Sequence, residues 1–406
     1  MAIVLLFYNI ILELIYLLCL PVLLPYLAYR KYLGAIHPSL RSEGRPVLIH
    51  AASVGEMNAL KTLIGVMLDY VSPEDIVITN TNINALPIGK SINPKIRSEL
   101  AVLDIFHLRY RQLKQINPRL ICVMETEIWP NLLLVASLLR IPVIFLNARI
   151  TAKSQPRYQA LSTVLRFAGR SVMQVNCQTR EDADRFQGVF NCPVAVSGNL
   201  KFIPGLPEYD LEESKAHWKL KQDELVLVFG SSRPGEEELV LQLWPGLKQR
   251  FPQLKLFIAP RHVERRSELE KLCSSLDYSM ESRSEVVRDL HFIDQLGLLN
   301  RAYSICDLAI VGGSFIDYGG HNPLEPAFYG KAIIIGPYHK SCKESVRKLA
   351  DAGALVLSDR EKLGADIENL LNNPSRRQSM GLSAKNVLKQ NSQALEKHLE
   401  SIKTWL

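Results

Sequence analysis

The chain alternates short apolar runs with longer segments in which apolar residues recur at helical spacing. The short runs predict buried strands, and the amphipathic segments between them predict crossover helices. The predicted strands are residues 46–50, 76–79, 120–124, 141–146, 173–177 and 194–196 in the first half, and 225–229, 255–259, 308–311, 332–335 and 354–357 in the second. Strands that alternate with helices form parallel sheets covered on both faces. The pattern therefore predicts an α/β protein with two doubly wound sheets.

Two further segments interrupt this alternation. Residues 199–210, which include Pro204 and Pro207, predict a linker between the two sheets. Residues 375–406 are rich in Lys, Gln and Glu, and they predict one long final helix that packs back across the molecule.

The first thirty residues differ from the rest. Residues 3–29 are almost wholly apolar and long enough to span a bilayer, although Glu13 lies near their middle. Arg30 and Lys31 follow directly, so the positive-inside preference leaves the body of the protein on the cytoplasmic side. No basic segment precedes the apolar run and no clear cleavage site follows it, which predicts a retained anchor that either spans the membrane or lies along it.

Composition narrows the function classes. A length of 406 residues accommodates two α/β domains, and the net charge of +7 suits an anionic membrane surface but is too diffuse to indicate nucleic acid. Seven scattered cysteines without a CxxC motif predict reduced thiols in a cytosolic compartment. No group of His, Cys and Asp residues has the spacing of metal ligands, and the sequence has no Ser-His-Asp signature. The P-loop and GxGxxG motifs are also absent, which argues against ATP hydrolysis and NAD chemistry.

Residues 312–326 form the most informative segment, a glycine-rich loop between two predicted strands. Glycines such as Gly313, which precedes Ser314, let the backbone approach a ligand closely. Asn322 is predicted as a helix N-cap and Pro323 as the first helical residue, so that N–H groups face a phosphate. Glu325 follows one turn later, where a carboxylate can accept hydrogen bonds from ribose hydroxyls. The segment predicts a nucleotide site; a glycine-rich surface turn is the alternative.

Three segments of the first half offer candidates for catalysis. Glu56 lies at a predicted helix start, either as a general base or as a charge that complements the helix dipole. Glu125 and Glu127 lie at the end of a buried strand. At least one of them acts as an acid in the cleft, or both are solvated loop carboxylates or caps of the helix that follows. Lys201 lies near the linker, where it either stabilises negative charge on a phosphate or carboxylate or is an ordinary surface lysine.

The second half offers a second anion-binding turn. Ser232 and Arg233 follow a strand and precede an acidic helix start, and the Arg233 guanidinium can bind phosphate oxygens bidentately. Pro260 and Arg261 end the next strand, and Arg261 is a candidate contact to phosphate or base. His262 is interpreted as structural.

From about Tyr29 to its end the chain resembles the Kdo (3-deoxy-D-manno-octulosonic acid) transferases of lipopolysaccharide synthesis. The resemblance rests on seven segments in order: HAASVGE, METEIWPNL, NARIT, SGNLKF, GSSRPGEEE, APRH and GGSF…GGHNPLEP. It implies a GT-B architecture, in which two Rossmann-like domains face each other across a cleft. The expected divisions are a membrane anchor over residues 1–31, an acceptor domain over 32–203, a CMP-sugar domain over 204–385, and a C-terminal helix over 386–406 that packs toward the acceptor domain.

The resemblance also implies a reaction. Kdo would pass from CMP-Kdo to the lipid A precursor lipid IVA, with inversion and without a metal or other cofactor, at the cytoplasmic face of a bacterial inner membrane. Glu56 matches the family's proton acceptor, and Glu125 and Lys201 match positions that stabilise the transition state. The matches to the CMP-binding segments are Pro260, Arg261, Leu296, Gly297, Leu298, Asn322, Pro323, Leu324 and Glu325.

The chain departs from the family's sequence pattern at two places, and two other functions are alternatives to Kdo transfer. The family commonly has Gly-Glu-Leu where this chain has Gly297, Leu298 and Leu299, and its threonine-rich stretch is altered over residues 79–85. A UDP-sugar transferase of the same architecture, or a sugar-nucleotide 2-epimerase, is the first rival. A membrane-tethered binding protein without catalysis is the second.

Overall fold

A computed structural model describes residues 1–284 and 286–406. The chain divides into two compact units. The first unit contains residues 1–203 and 391–406, and the second contains residues 204–390.

The first unit is built on a seven-stranded parallel sheet in the order β3-β2-β1-β4-β5-β6-β7. Its strands are β1 Val47–Ala51, β2 Ile76–Asn80, β3 Arg97–Leu100, β4 Leu120–Met124, β5 Val143–Ala148, β6 Val172–Cys177 and β7 Val194–Val196. The strand order reverses between β1 and β4, which are hydrogen-bonded neighbours. In open α/β sheets ligands bind outside the carboxyl ends of the strands at such a reversal. The segments that follow β1 and β4 contain Glu56 and Glu125.

The second unit repeats this plan with the order β10-β11-β9-β8-β12-β13-β14, again all parallel. Its strands are β8 Leu225–Ser232, β9 Leu254–Pro260, β10 Tyr278–Met280, β11 Leu290–Phe292, β12 Leu308–Val311, β13 Ala332–Ile335 and β14 Leu355–Leu357. Here the order reverses between β8 and β12. Arg233 and the glycine-rich loop follow these two strands.

Helices cover both sheets. They are α1 Ala2–Tyr29, α2 Val54–Met67, α3 Leu86–Ile92, α4 Phe106–Ile116, α5 Pro130–Leu138, α6 Gln155–Ala160, α7 Ser162–Ala168, α8 Arg180–Phe186, α9 Leu211–His217, α10 Glu237–Arg250, α11 Arg266–Leu272, α12 Leu299–Ile305, α13 Leu324–Phe328, α14 Lys343–Asp351, α15 Leu363–Leu371, α16 Pro374–Lys389 and α17 Ala394–Lys403. Short 3₁₀ helices occur at Leu33–Ala35, Pro73–Asp75, Ile83–Ala85, Leu200–Phe202, Val263–Arg265 and Lys340–Cys342.

The prediction of an α/β protein with two parallel sheets is confirmed. Three strands were missed, namely β3, β10 and β11. β3 reads Arg-Ser-Glu-Leu, and β10 and β11 have three residues each, so none shows the apolar run that identifies a buried strand.

The prediction of one final helix over residues 375–406 is wrong. α16 ends at Lys389, and α17 begins at Ala394. At the break, the side chain of Asn391 accepts a hydrogen bond from the backbone N–H of Asn199, an interaction within the first unit. α17 then packs on the first sheet, where Ala394, Leu399 and Ile402 share one core cluster with residues of β1, β4 and β5.

α1 contacts the first unit along part of its length. Within residues 1–284 and 286–406 it is the one helix long and apolar enough to cross a membrane. Leu27 packs into a cluster formed by Ile36, Val102, Ile105 and Leu108, against which Leu12, Tyr16 and Leu23 also lie. The carboxylate of Glu13 accepts hydrogen bonds from the backbone N–H of His107, at 3.1 Å, and from its ring Nδ1, at 2.6 Å. The one acid inside the apolar run therefore faces the protein.

Candidate functional site

Glu56 is held at the amino end of α2 by reciprocal hydrogen bonds. Ser53 is the N-cap, and its hydroxyl oxygen accepts from the Glu56 N–H at 3.2 Å. The Glu56 carboxylate accepts in turn from the Ser53 hydroxyl at 3.0 Å and from the Ala52 N–H at 2.8 Å. This arrangement resembles a capping box, so the fold fixes the carboxylate in one position. The residue is only 7% exposed.

Burial changes the acidity of this carboxyl group. It raises the pKa of Glu56 from 4.5 to about 7, with a smaller contribution from the negative charges of Glu125 and Glu127. The hydrogen bonds from Ala52 and Ser53 oppose the shift. A carboxyl group with a pKa near the working pH is both partly ionised and a stronger base than an ordinary glutamate, which are the properties that a general base needs.

Glu125 forms an ion pair with Lys201 beside this group. Nζ of Lys201 lies 2.5 Å from Oε1 of Glu125. Glu125 directly follows β4 and adopts a φ of +52°, a left-handed conformation that is uncommon for residues other than glycine and concentrates at functional sites. Lys201 lies on the short helix after β7, where the Asn199 side chain accepts its backbone N–H at 2.9 Å. The first unit thus brings the three predicted catalytic residues into one neighbourhood.

The second unit gathers positive charge at the carboxyl ends of β8 and β9. The Arg233 guanidinium lies 2.6 Å from the ring nitrogen of His262 and 5.2 Å from the centroid of the Tyr318 ring. Arg261 is exposed, and its backbone N–H donates to the carbonyl of Ser232 at 3.0 Å, directly after the buried Pro260. Two arginines at one sheet edge suit an anionic ligand.

Three residues predicted to contact the nucleotide already have protein partners for their polar groups. The Ser232 hydroxyl is fully buried and donates to Glu237 at 2.8 Å. The backbone N–H groups of Gly313 and Ser314 donate to the carboxylate of Glu236 at 2.7 and 2.9 Å. Their direct contact with a nucleotide stays a prediction, and these hydrogen bonds do not support it.

The helix after the glycine-rich loop is shorter than expected. α13 has five residues, and its N-cap is Pro323, so the predicted capping position was one residue too early. The Asn322 side chain nevertheless accepts the Leu324 N–H at 3.1 Å. Burial raises the pKa of Glu325 to about 7, against the opposing effects of Arg261 and Asn322. Arg261 and Glu325, two of the predicted donor contacts, are therefore close enough to interact.

The turn before α12 presents an apolar side chain to solvent. Leu296 is 82% exposed, Gly297 has a φ of +92°, and Leu298 is the N-cap of α12. The left-handed φ favours glycine at position 297. The predicted role of this turn in lining a ligand stays a prediction.

Two residues of the second unit have no role in the sequence-based predictions. His321 packs against Gly313, and burial together with the charges of Arg261, Arg233 and His262 lowers its pKa to about 4. Its Nε2 has no hydrogen-bond partner among the described residues. Glu236 was interpreted only as part of an acidic helix start. Its contact with the glycine-rich loop joins residues 77 positions apart, which no local pattern reveals.

Comparisons with known proteins identify a family for the chain. Residues 28–203 match the family described as 3-deoxy-D-manno-octulosonic-acid transferase (kdotransferase), and residues 211–387 match glycosyl transferases group 1. The 3-deoxy-D-manno-octulosonic acid transferase of Haemophilus influenzae is 30% identical over 373 residues, which cover 89% of this chain and 87% of that protein.

Solved structures of low identity show the fold. The UDP-GlcNAc 2-epimerase of Neisseria meningitidis, crystallised with UDP-GlcNAc, and the MurG protein of Acinetobacter baumannii are 15% and 16% identical to this chain. Each matches with a TM-score of 0.55 over 89% of this chain and 100% of its own length. These likenesses confirm the predicted GT-B fold class. The 30% identity to the Haemophilus influenzae transferase over most of both chains, together with the family matches over both units, shows that the chain belongs to the 3-deoxy-D-manno-octulosonic acid transferase family and is a glycosyltransferase.

Proposed function

We propose that the protein transfers Kdo from CMP-Kdo to a hydroxyl group of lipid IVA, with inversion and without a metal ion. The observation that carries the proposal is the buried Glu56, whose pKa is about 7, beside the ion pair of Glu125 and Lys201. In a chain of this family, such a carboxyl group is suited to remove a proton from an acceptor hydroxyl at neutral pH.

In the proposed step the acceptor oxygen attacks the anomeric carbon of Kdo while the bond from that carbon to the CMP phosphate breaks. The hydroxyl proton passes to Glu56. General base catalysis of this kind contributes typically ~10²–10⁴-fold in rate. One direct displacement inverts the configuration and requires no covalent intermediate on the enzyme. Lys201, which forms an ion pair with Glu125, stabilises the negative charge of the reacting groups.

The donor side of the proposal assigns CMP to the second unit. Arg233 and Arg261 bind the departing phosphate, whose charge two guanidinium groups offset without Mg²⁺. Glu325 accepts hydrogen bonds from the ribose hydroxyls. Pro260 and the turn formed by Leu296, Gly297 and Leu298 line the nucleotide.

We further propose that α1 attaches the protein to the cytoplasmic face of the inner membrane. Its exposed side chains are large and apolar, while Glu13 is paired with His107 and Leu27 is packed into the first unit. α1 is long and apolar enough to cross a bilayer, so the proposal commits to attachment and not to a position across or along the membrane.

Mass spectrometry of lipid IVA after incubation with CMP-Kdo and the full chain tests the reaction. We expect lipid IVA to gain Kdo in the presence of EDTA, and no product from UDP-GlcNAc in a parallel incubation. Product from UDP-GlcNAc alone would favour the UDP-sugar alternative, and loss of activity on chelation would contradict metal independence.

The role of Glu56 needs a control that separates catalysis from helix capping. Asp182 provides it, because it is also 7% exposed and forms the same reciprocal bonds with the N-cap Thr179 at the start of α8. We expect Glu56→Gln to lose activity by ~10²-fold or more while CMP still binds, and Asp182→Asn to keep most of its activity. Equal effects of the two substitutions on activity would show that Glu56 is only a capping residue.

A further inference from the structure

The glycine-rich loop after β12 surrounds a carboxylate that the chain itself supplies. Three consecutive backbone N–H groups, those of Gly313, Ser314 and Phe315, donate to Glu236 at 2.7, 2.9 and 2.8 Å. The same carboxylate accepts the N–H of Arg233 at 2.9 Å. Successive N–H groups that converge in this way form a nest for an anion. In this protein the anion in the nest is Glu236.

Glu236 is fully buried and is committed to this contact. It precedes α10 directly, yet its side chain makes no capping bond with that helix and extends to the neighbouring loop instead. Burial raises its pKa, whereas all four N–H donors favour the ionised form. A carboxylate that accepts four N–H bonds leaves these donors satisfied before any ligand arrives.

The two segments joined by Glu236 are packed tightly. A Cβ atom at Gly312 would lie 2.5 Å from the carbonyl oxygen of Ser231, and one at Gly313 would lie 2.7 Å from the His321 ring. Gly313 also has a φ of +68°, which the convergence of the N–H groups requires. Glu236 therefore fixes the backbone that bears Arg233 against the loop that leads to His321.

We propose that Glu236 is a positioning residue of the donor site, which holds the Arg233 segment and the glycine-rich loop in their binding geometry before the nucleotide arrives. The inference rests on the proposed function, since it takes the donor to be a CMP-sugar. It adds that the donor phosphate binds to arginine side chains and not to the N–H groups of residues 313–315. Glu236 itself does not touch the donor.

Replacing the carboxylate tests this role. In Glu236→Gln, one carboxylate oxygen becomes an NH₂ group that faces N–H donors, so two of the four bonds are replaced by donor–donor contacts. We expect the dissociation constant of CMP, measured by calorimetry, to rise at least ~10-fold, and KM for CMP-Kdo to rise more than kcat falls.

Asp307→Asn is the matched control. Asp307 also accepts a backbone N–H, that of Val226 at 2.9 Å, but it lies at the amino end of β12, the opposite edge of the sheet. We expect it to lower the melting temperature while CMP binds as in the wild type. If CMP affinity fell in both variants in proportion to their loss of stability, the positioning role would be refuted.

Hydrogen exchange in the wild type tests the idea without a substitution that could prevent folding. The N–H groups of Gly313, Ser314 and Phe315 should be protected in the free protein, and CMP should slow their exchange only slightly further. Strong new protection by CMP would overturn the proposal, because it would mean that the nucleotide organises the loop.

The outcomes separate this inference from the proposed function. A wild-type protein that binds no CMP contradicts the assigned donor. A wild-type protein that binds CMP, together with a Glu236→Gln variant that binds it equally well, contradicts the positioning role alone.

Discussion

The acidity of Glu56 gives the sharpest prediction about turnover. Burial raises its pKa from 4.5 to about 7, and at about 1.4 kcal/mol per pKa unit this corresponds to about 3 kcal/mol of additional cost for ionising the carboxyl group. A general base works only when it is deprotonated. Lowering the pH from about 8 to about 6 should therefore reduce kcat/KM by about tenfold, whereas a glutamate of ordinary pKa would stay ionised over this range.

The assay measures initial rates of Kdo transfer between about pH 5.5 and 9, at saturating CMP-Kdo and limiting lipid IVA, where kcat/KM for the acceptor reports the free acceptor site. CMP affinity is measured by calorimetry at each pH, because the pKa of Glu325 is also about 7. We expect log kcat/KM to rise with a slope of about one below pH 7 and then to level off.

A rate independent of pH between about 5.5 and 8.5, with CMP affinity unchanged, would refute this reasoning. Protein stability offers a second check. The folded state holds the Glu56 proton up to about pH 7, whereas the unfolded chain releases it near 4.5. The free energy of unfolding should therefore fall as the pH rises through this window, and Glu56→Gln should remove that part of the dependence.

Three further predictions concern neighbouring groups. Cytidine, which has no phosphate, should bind more tightly as the pH rises through 7, because ionised Glu325 is the better acceptor for ribose hydroxyls; Glu325→Gln should abolish this dependence in calorimetry, and an unchanged dependence would contradict the ribose contact. Lys201→Met leaves Glu125 as an uncompensated negative charge, so the acid limb of the rate profile should move to higher pH; an unmoved limb would mean that the pair does not act on the base. Glu13→Gln weakens the contact with His107, and we expect a larger fraction of α1 to be cut by protease in detergent; cleavage equal to the wild type would contradict a docked helix.

Apolar patterning predicted most of the two sheets, because parallel strands buried on both faces form continuous apolar runs. It failed at β3, where Arg97 and Glu99 interrupt the run although Glu99 is largely buried and accepts hydrogen bonds from Ser39, Leu40 and Gln112. A polar network of this kind depends on residues distant in sequence, and a local pattern does not contain it.

In the candidate site, too, local features were predictable from the sequence and tertiary features were not. The position of Glu56 at a helix start was predictable from its neighbours, since Ser53 lies three residues earlier at the N-cap. Its raised pKa was not, because burial beneath surrounding elements is a tertiary property. Likewise, the glycines of the loop after β12 indicated an anion, but only the folded structure identifies that anion as Glu236.

The return of α17 to the first sheet has a practical consequence. Its first residue, Ala394, lies so close to Gly198 that a Cβ atom there would be 2.9 Å from the alanine methyl group, and His398 accepts the backbone N–H of Asn147 through its ring nitrogen. A fragment that stopped at residue 203 would expose this apolar and polar surface to water. The second unit is one uninterrupted stretch of the chain and can be expressed from one stretch of gene, whereas the first unit needs residues 391–406 supplied, either fused by a designed joint or added as a peptide.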